Sequence, residues 1–245
     1  GGAGARIKKY YRERFGLILF KKPCEIPAVG ERYSSLGETL GFPPMARMVG
    51  GIDIPESAQV KTRSRLGGID RQMVAIAPGS RWPMKRWSVE KYVDLTRRII
   101  EGHGCHVVLL GNDLEAESMA PIAQTMGENV TNLVGRTSIL EAAAAIQHTI
   151  AFIGNDSGLM HLAEAVGVPV IALFGPTVKA FGYYPSLPES RVIERDLSCR
   201  PCSRNGRRPC IKGTQECLAA IPVEPVEEAF ADLLARRGPA RYVHH

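Results

Sequence analysis

IAFIGNDSGLMHLAEAVGVPVIALFGPT, residues 150–177, opens and closes on short apolar runs with a helical stretch between them. The runs at 150–154 and 170–174 have strand length and are bounded by Gly, Asn, Asp and Pro, the punctuation that ends strands. Residues 159–166 carry helix-forming side chains; Gly167 stops that helix and Pro169 prevents its continuation. Two strand-length runs joined through a helix make a βαβ unit with parallel strands.

The same alternation extends in both directions from residue 72 onward. Strands are expected at 73–77, 106–110, 130–134 and 191–194, with helices at 89–101, 114–126, 139–147 and 225–236. Five such crossovers predict an α/β fold with an open, doubly wound parallel sheet and helices on both faces. Ser88 with Lys91 gives half of a helix-capping signal, and Thr137 or Ser138 ahead of Glu141 reads as a capping box. Residues 1–70 read as irregular, first basic and aromatic, then rich in Gly and Pro, with a short helix at 32–40. Residues 238–245 read as a frayed tail.

The 245 residues carry 31 Lys and Arg against 25 Asp and Glu, and 44% are hydrophobic. That balance excludes a disordered or collagenous chain. A net charge of +6 suits an anionic ligand, an anionic membrane surface or nucleic acid, and does not choose among them. No apolar run reaches the roughly 20 residues that cross a bilayer, and the opening GGAGARIKKYYRERF lacks the apolar stretch of a signal peptide. The absence of an initial Met suggests a fragment or a processed chain.

In an open parallel sheet, ligands bind outside the carboxyl ends of the strands, so the loops there carry the candidate chemistry. In residues 78–87, PGSRWPMKRW, Gly79 allows close backbone approach, Ser80 offers a hydroxyl and Lys85 or Arg86 a cation. This is either a phosphate cradle or a surface turn covered by Trp82 and Trp87. In residues 154–161, GNDSGLMH, Asp156 or Ser157 caps the following helix, Gly158 leaves its first turn open and His161 faces the same mouth. Four such groups at one strand end favour a site. Asp113 lies at the same edge, as a ribose acceptor or a plain helix cap. Phe174-Gly175-Pro176-Thr177 is a further small-residue loop. Cys199, Cys202, Cys210 and Cys217 are either a tetrathiolate set for zinc or iron or four thiols in a reducing compartment.

The ordered set APGSRWPMKRW (77–87), VVLLGNDLEAE (107–117), NLVGRTSILEAAAAI (132–146), the 153–177 stretch and the cysteine segment running into LAAIPVEPVEEAF (218–230) resembles glycosyltransferase family 9, over about residues 30–237. The resemblance implies a GT-B fold of two Rossmann-like domains, an acceptor domain and a nucleotide-sugar domain. It implies an inverting, cofactor-independent transfer of heptose from ADP-heptose to a lipopolysaccharide core. Residues 1–70 then correspond to the remainder of the acceptor domain and linker, and 71–237 to the donor domain. Ser80, Lys85, Asp156, Ser157, Gly158 and His161 would hold the diphosphate and sugar, Thr137 would sit by the adenine, and Asp113 would meet the ribose within a residue or so of register. The family's general base, an aspartate early in the acceptor domain, has no counterpart before residue 30. The chain alone is therefore expected to bind donor without turning it over. The resemblance also implies a cytoplasmic protein, peripheral at the inner face of the inner membrane, with the basic residues of 6–14 compatible with that surface. Nucleic acid is not an expected partner.

Two rivals remain at this level. One is a non-catalytic nucleotide-sugar-binding module. The other is a metal-stapled nucleic-acid binder built on Arg200, Arg204, Arg207 and Arg208 around the cysteines, which leaves the sheet-edge motifs unexplained.

Overall fold

A computed structural model of the chain describes residues 3–21 and 51–237. Six strands, β1 (Met73–Ala77), β2 (His106–Leu109), β3 (Val130–Asn132), β4 (Ala151–Asn155), β5 (Val170–Phe174) and β6 (Arg191–Glu194), form one sheet in the order β3-β2-β1-β4-β5-β6. Every neighbouring pair is parallel; Val74 of β1 stands between Val107 and Ala151. The strand order reverses between β1 and β4, which makes the crevice between their carboxyl ends the switch point of the sheet.

Alternation along the strands divides the core. Val74 and Ile76 face one apolar cluster, with Ile153, Ile171 and Leu173. Helices α3 (Val89–His103), α4 (Ala116–Met126) and α8 (Glu224–Arg237) cover that face through Tyr92, Leu95, Ile99, Ile122, Val226 and Phe230. Met73, Ala75 and Ala77 face the other, under α2 (Glu56–Leu66), α5 (Ile139–Gln147) and α6 (Gly158–Ala165). Both faces of β1, β4 and β5 are buried throughout, which is why their sequences are continuous apolar runs rather than alternating ones.

Local chemistry sets the helix ends. The Ser88 hydroxyl accepts from Lys91 N, and α3 stops at Gly104, φ 65°, a left-handed turn that costs glycine little. Ser138, not Thr137, is the cap of α5: its hydroxyl accepts from Glu141 N while the Glu141 carboxylate accepts from Ser138 N. This reciprocal pair satisfies two orphan donors.

Two helices depart from the irregular reading of residues 1–70: α1 (Ala3–Phe20) and α2. A further short helix, α7 (Glu216–Ala219), carries Cys217, the last cysteine of the loop. The Thr62 hydroxyl of α2 donates to Glu141 O, Lys61 pairs with Glu141 and Leu66 enters the core. Residues 56–66 therefore pack onto the same unit as the sheet. The short helix at 32–40, Cys24 and the tail at 238–245 lie outside the described residues. The expected strand at 130–134 ends at Asn132, whose side-chain carbonyl accepts from Val134 N.

Candidate functional site at the switch point

The loop after β1 and the loop after β4 face each other across the crevice, and Asn155 ties them together. Its side-chain amide donates to Pro78 O at 2.5 Å, and its carbonyl accepts from Trp87 N at 3.1 Å. Asn155 is fully buried, so the two bonds hold both ends of the 78–87 loop from beneath. Trp87 packs in the core and donates through Nε1 to Ile221 O. Arg86, an exposed residue, donates through Nε to Ser80 O at 2.7 Å. Lys85 and Arg81 are the cations of the loop that reach the crevice.

Lys85 Nζ lies 2.5 Å from Asp156 Oδ2, with side chains 12% and 5% exposed. The Thr177 hydroxyl, from the small-residue loop after β5, donates to the same Oδ2 at 2.6 Å. Asp156 is therefore an acceptor held between two donors and does not cap α6. Ser157 occupies the cap position without a side-chain cap bond, and its buried hydroxyl has no protein partner. The first-turn N–H groups of α6, the Ser157 hydroxyl and the Lys85 ammonium converge on one space, a combination suited to an anion. His161 lies one turn into α6; burial lowers its pKa, so the imidazole is neutral at pH 7.

Two cavities meet along this line. The larger, about 600 Å³, lies over α5 and the loop after β2 and is lined by Leu110, Glu115, Thr137, Ile139, Leu159 and Leu162 among others. The smaller, about 370 Å³, is polar, with Tyr11, Arg14, Trp82, Lys85, Asp156, Tyr183, Arg204 and Asn205 in its wall. Ser80, Arg81, Ser157, Gly158 and His161 line both.

The crevice thus brings together Ser80, Lys85, Thr137, Asp156, Ser157, Gly158 and His161. Asp113 stands outside it: the residue is exposed and lines neither cavity. The carboxylate in the larger cavity is Glu115, 6% exposed, which accepts from Asn112 N at 3.0 Å. A short 3-10 turn at Asp113–Glu115 precedes α4 and turns the third residue inward, a rotation that spacing alone does not reveal. Gly79 leaves room for that carboxylate; a Cβ there would lie 2.2–2.4 Å from it.

Arg14 is a site residue that the sequence gives no local signal for. Its guanidinium is buried, donates to Phe181 O at 2.8 Å and Tyr183 Oη at 3.2 Å, and packs on both rings. Arg14 is thereby withdrawn from any basic surface patch. Arg200 is likewise withdrawn from a nucleic-acid face: it pairs with Glu194 and donates to Gly175 O and Thr177 O.

The four cysteines of the 199–217 loop share a neighbourhood. Burial, then the nearby Cys202, pushes the Cys217 thiol up to about 11. Burial raises Cys202 too, with Cys199 and Cys210 adding to it. Burial opposes ionisation of Cys210, but the N–H groups of Gln215, Lys212, Thr214 and Gly213 outweigh it and lower that thiol. Yet among the described residues no group of three His, Cys, Asp or Glu side chains is arranged to hold a metal ion. The loop is held by Lys21, which donates to Cys199 O and Pro201 O, and by Gln215 N, which donates to Cys210 Sγ.

An open parallel sheet with a cationic, amide-rich crevice at its switch point and an apolar cavity beside it defines a doubly wound α/β protein with a candidate ligand site at the strands' carboxyl ends. The sequence profile of glycosyltransferase family 9 (heptosyltransferase) matches residues 14–210, and the chain belongs to that family. It is 33% identical over 177 residues to lipooligosaccharide heptosyltransferase 2 of Haemophilus influenzae, covering 68% of this chain and 49% of the relative. The structure of the E. coli ADP-heptose lps heptosyltransferase II superposes with a TM-score of 0.68 at 26% identity, over 86% of this chain and 63% of that one. The family 9 glycosyl transferase from Veillonella parvula shares the fold, with a TM-score of 0.75 at 24% identity over 86% and 61% of the two chains. The six-stranded sheet is the Rossmann-like, GT-B type of these neighbours. The chain spans about half the length of the curated relative it matches. No helix among the described residues is long and apolar enough to cross a membrane.

Proposed function

We propose that this chain supplies the donor-binding half of a heptosyltransferase that moves a heptose from ADP-heptose, or a similar nucleotide sugar, to a lipopolysaccharide core acceptor with inversion. The observation that carries this reading is the row of residues shared by the two cavities. A diphosphate laid along Ser80, Ser157, Gly158 and His161 places a nucleoside in the larger, more apolar cavity and a sugar in the smaller, polar one. The adenine lies by Thr137, and the ribose hydroxyls meet Glu115, which takes the role expected of Asp113.

The chemistry of this half is charge stabilisation. As the bond between the anomeric carbon and the diphosphate breaks, negative charge builds on the departing phosphate. Lys85 and the α6 N–H groups face that charge, held in place before it develops. The base that deprotonates the acceptor is not among the site residues assigned here. Family membership and the basic surface fit a cytoplasmic protein at the inner face of the inner membrane, with no nucleic acid as partner.

Calorimetric titration with ADP-heptose, ADP and UDP tests the assignment. ADP ligands are expected to bind in preference to UDP, and His161→Ala and Lys85→Gln to weaken them. A folded chain that binds neither ADP ligand, or prefers UDP, contradicts it.

A structural metal is a second reading of the cysteine loop, favoured by the mutual influence of its thiols. Cys199, Cys202, Cys210 and Cys217 would close on zinc or iron as a staple away from the reacting atoms. About one zinc or iron per chain in protein purified without chelator supports it; a folded, metal-free chain contradicts it.

A further inference from the structure

We propose that the cysteine loop, residues 199–217, is the positioning device of the diphosphate site, with Gln215 and Arg200 as the residues that hold Lys85 and Asp156 in place. The inference rests on the donor reading above and assigns a task to two residues, Gln215 and Arg200, that line neither cavity.

The loop reaches Lys85 in two ways. The Gln215 side-chain amide donates to Pro83 O at 3.3 Å and Arg86 O at 3.1 Å, the carbonyls on either side of Lys85. The Lys85 stem lies against the backbone of Gly206, φ 79°, where a Cβ would come within 2.7 Å of Lys85 Cγ. The loop reaches Asp156 through Arg200. Its Nε donates to Gly175 O at 2.5 Å and its second amino group to Thr177 O at 2.7 Å, and the Thr177 hydroxyl donates to Asp156 Oδ2. One loop therefore grips both lips of the crevice at the residues that form its ion pair.

Gln215 carries a cost that fits the task. It is left-handed at φ 47° and ψ 31°, a conformation that residues other than Gly, Asn and Asp rarely adopt. Asn would fit that backbone better; its shorter amide would fall short of the two carbonyls. Strain of this kind persists where surrounding structure holds it, and at functional sites it is part of the mechanism.

A residue that only stabilises the fold would weaken every ligand alike. Positioning through Lys85 predicts a loss confined to phosphate-bearing ligands. The experiment titrates ADP and adenosine into the full chain, Gln215→Asn, Arg200→Lys, Lys85→Gln and the double variant Gln215→Asn with Lys85→Gln. Gln215→Asn and Arg200→Lys should each weaken ADP by about tenfold, as expected for losing hydrogen bonds that hold a charged group, and leave adenosine unchanged. In the Lys85→Gln background, Gln215→Asn should cost nothing more, since the two act as one unit. Unchanged ADP affinity, equal losses for ADP and adenosine, or an additive loss in the double variant would overturn the inference. A folded wild-type chain that binds no ADP overturns the donor reading itself, and the wild-type titration alone reveals that case.

Discussion

Lys85 Nζ and Asp156 Oδ2 stand 2.5 Å apart although one lies in the loop after β1 and the other in the loop after β4, so a single ion pair closes the bottom of the crevice. Both side chains are largely buried, and removing one partner leaves a charge with little solvent. Lys85→Ala should destabilise the chain by about 3 kcal/mol, the scale for breaking a buried pair. Lys85→Ala with Asp156→Ala should recover most of that loss. Urea denaturation of the two single variants and the double completes the cycle; additive losses would show that the pair is not coupled.

Gly79 and Glu115 form a second dependent pair. A methyl group at 79 would occupy the space of the Glu115 carboxylate, which is the movable end of a side chain. Gly79→Ala should therefore cost about 1 kcal/mol in stability and weaken ADP as much as Glu115→Ala does. Adding Gly79→Ala to Glu115→Ala should restore nothing and remove nothing further. Thermal melts and ADP titrations of the three variants test this, and a larger stability loss in the double variant would refute it.

The ribose assignment separates two nearby carboxylates. Glu115→Gln should reduce the preference for ADP over 2′-deoxy-ADP by about tenfold, the range for hydrogen bonds to a charged group, whereas Asp113→Asn should leave it intact. Competition titrations with the two nucleotides would sink the assignment if Asp113→Asn had the larger effect.

Acid sensitivity follows from three imidazoles whose protonation the fold opposes: His106, which is buried, His148, half-buried, and His161, at the open mouth of the crevice. Burial lowers the pKa of His106, His148 and His161, with Arg71 and Arg63 adding to the shift in the first two. In the window between the lowered folded value and about 6.5 in the unfolded chain, the unfolded state binds protons that the folded state refuses. Their contribution is thus intact above about pH 6.5 and is lost as pH falls below it. The urea midpoint should drop between pH 7 and pH 5.5, and His161→Gln should shrink that drop. An equal drop in the variant would exclude His161 as a contributor.

Much of this was legible in the chain itself. Apolar runs of strand length, Gly stops and Pro breaks carried the parallel sheet, and the 154–161 loop carried the converging Asp, Ser, Gly and His. The failures have specific causes. Helix α1 docks through contacts far along the chain: Arg14 is buried on Phe181 and Tyr183, and Tyr11 lies under the Arg204 guanidinium. Glu115 was hidden behind Asp113 because a 3-10 turn of three residues decides which carboxylate points inward. Each miss is a long-range contact or a local rotation, neither of which has a signature in residue order.

The central claim is a place for the diphosphate, and a crystal structure of the chain with ADP bound tests it most directly. The account predicts the β-phosphate between Lys85 Nζ and the first turn of α6, the Ser157 hydroxyl newly partnered, the ribose on Glu115 and the adenine beside Thr137. A diphosphate bound elsewhere, for example in the cleft formed by Arg65 and Arg136, with the crevice empty, would contradict it.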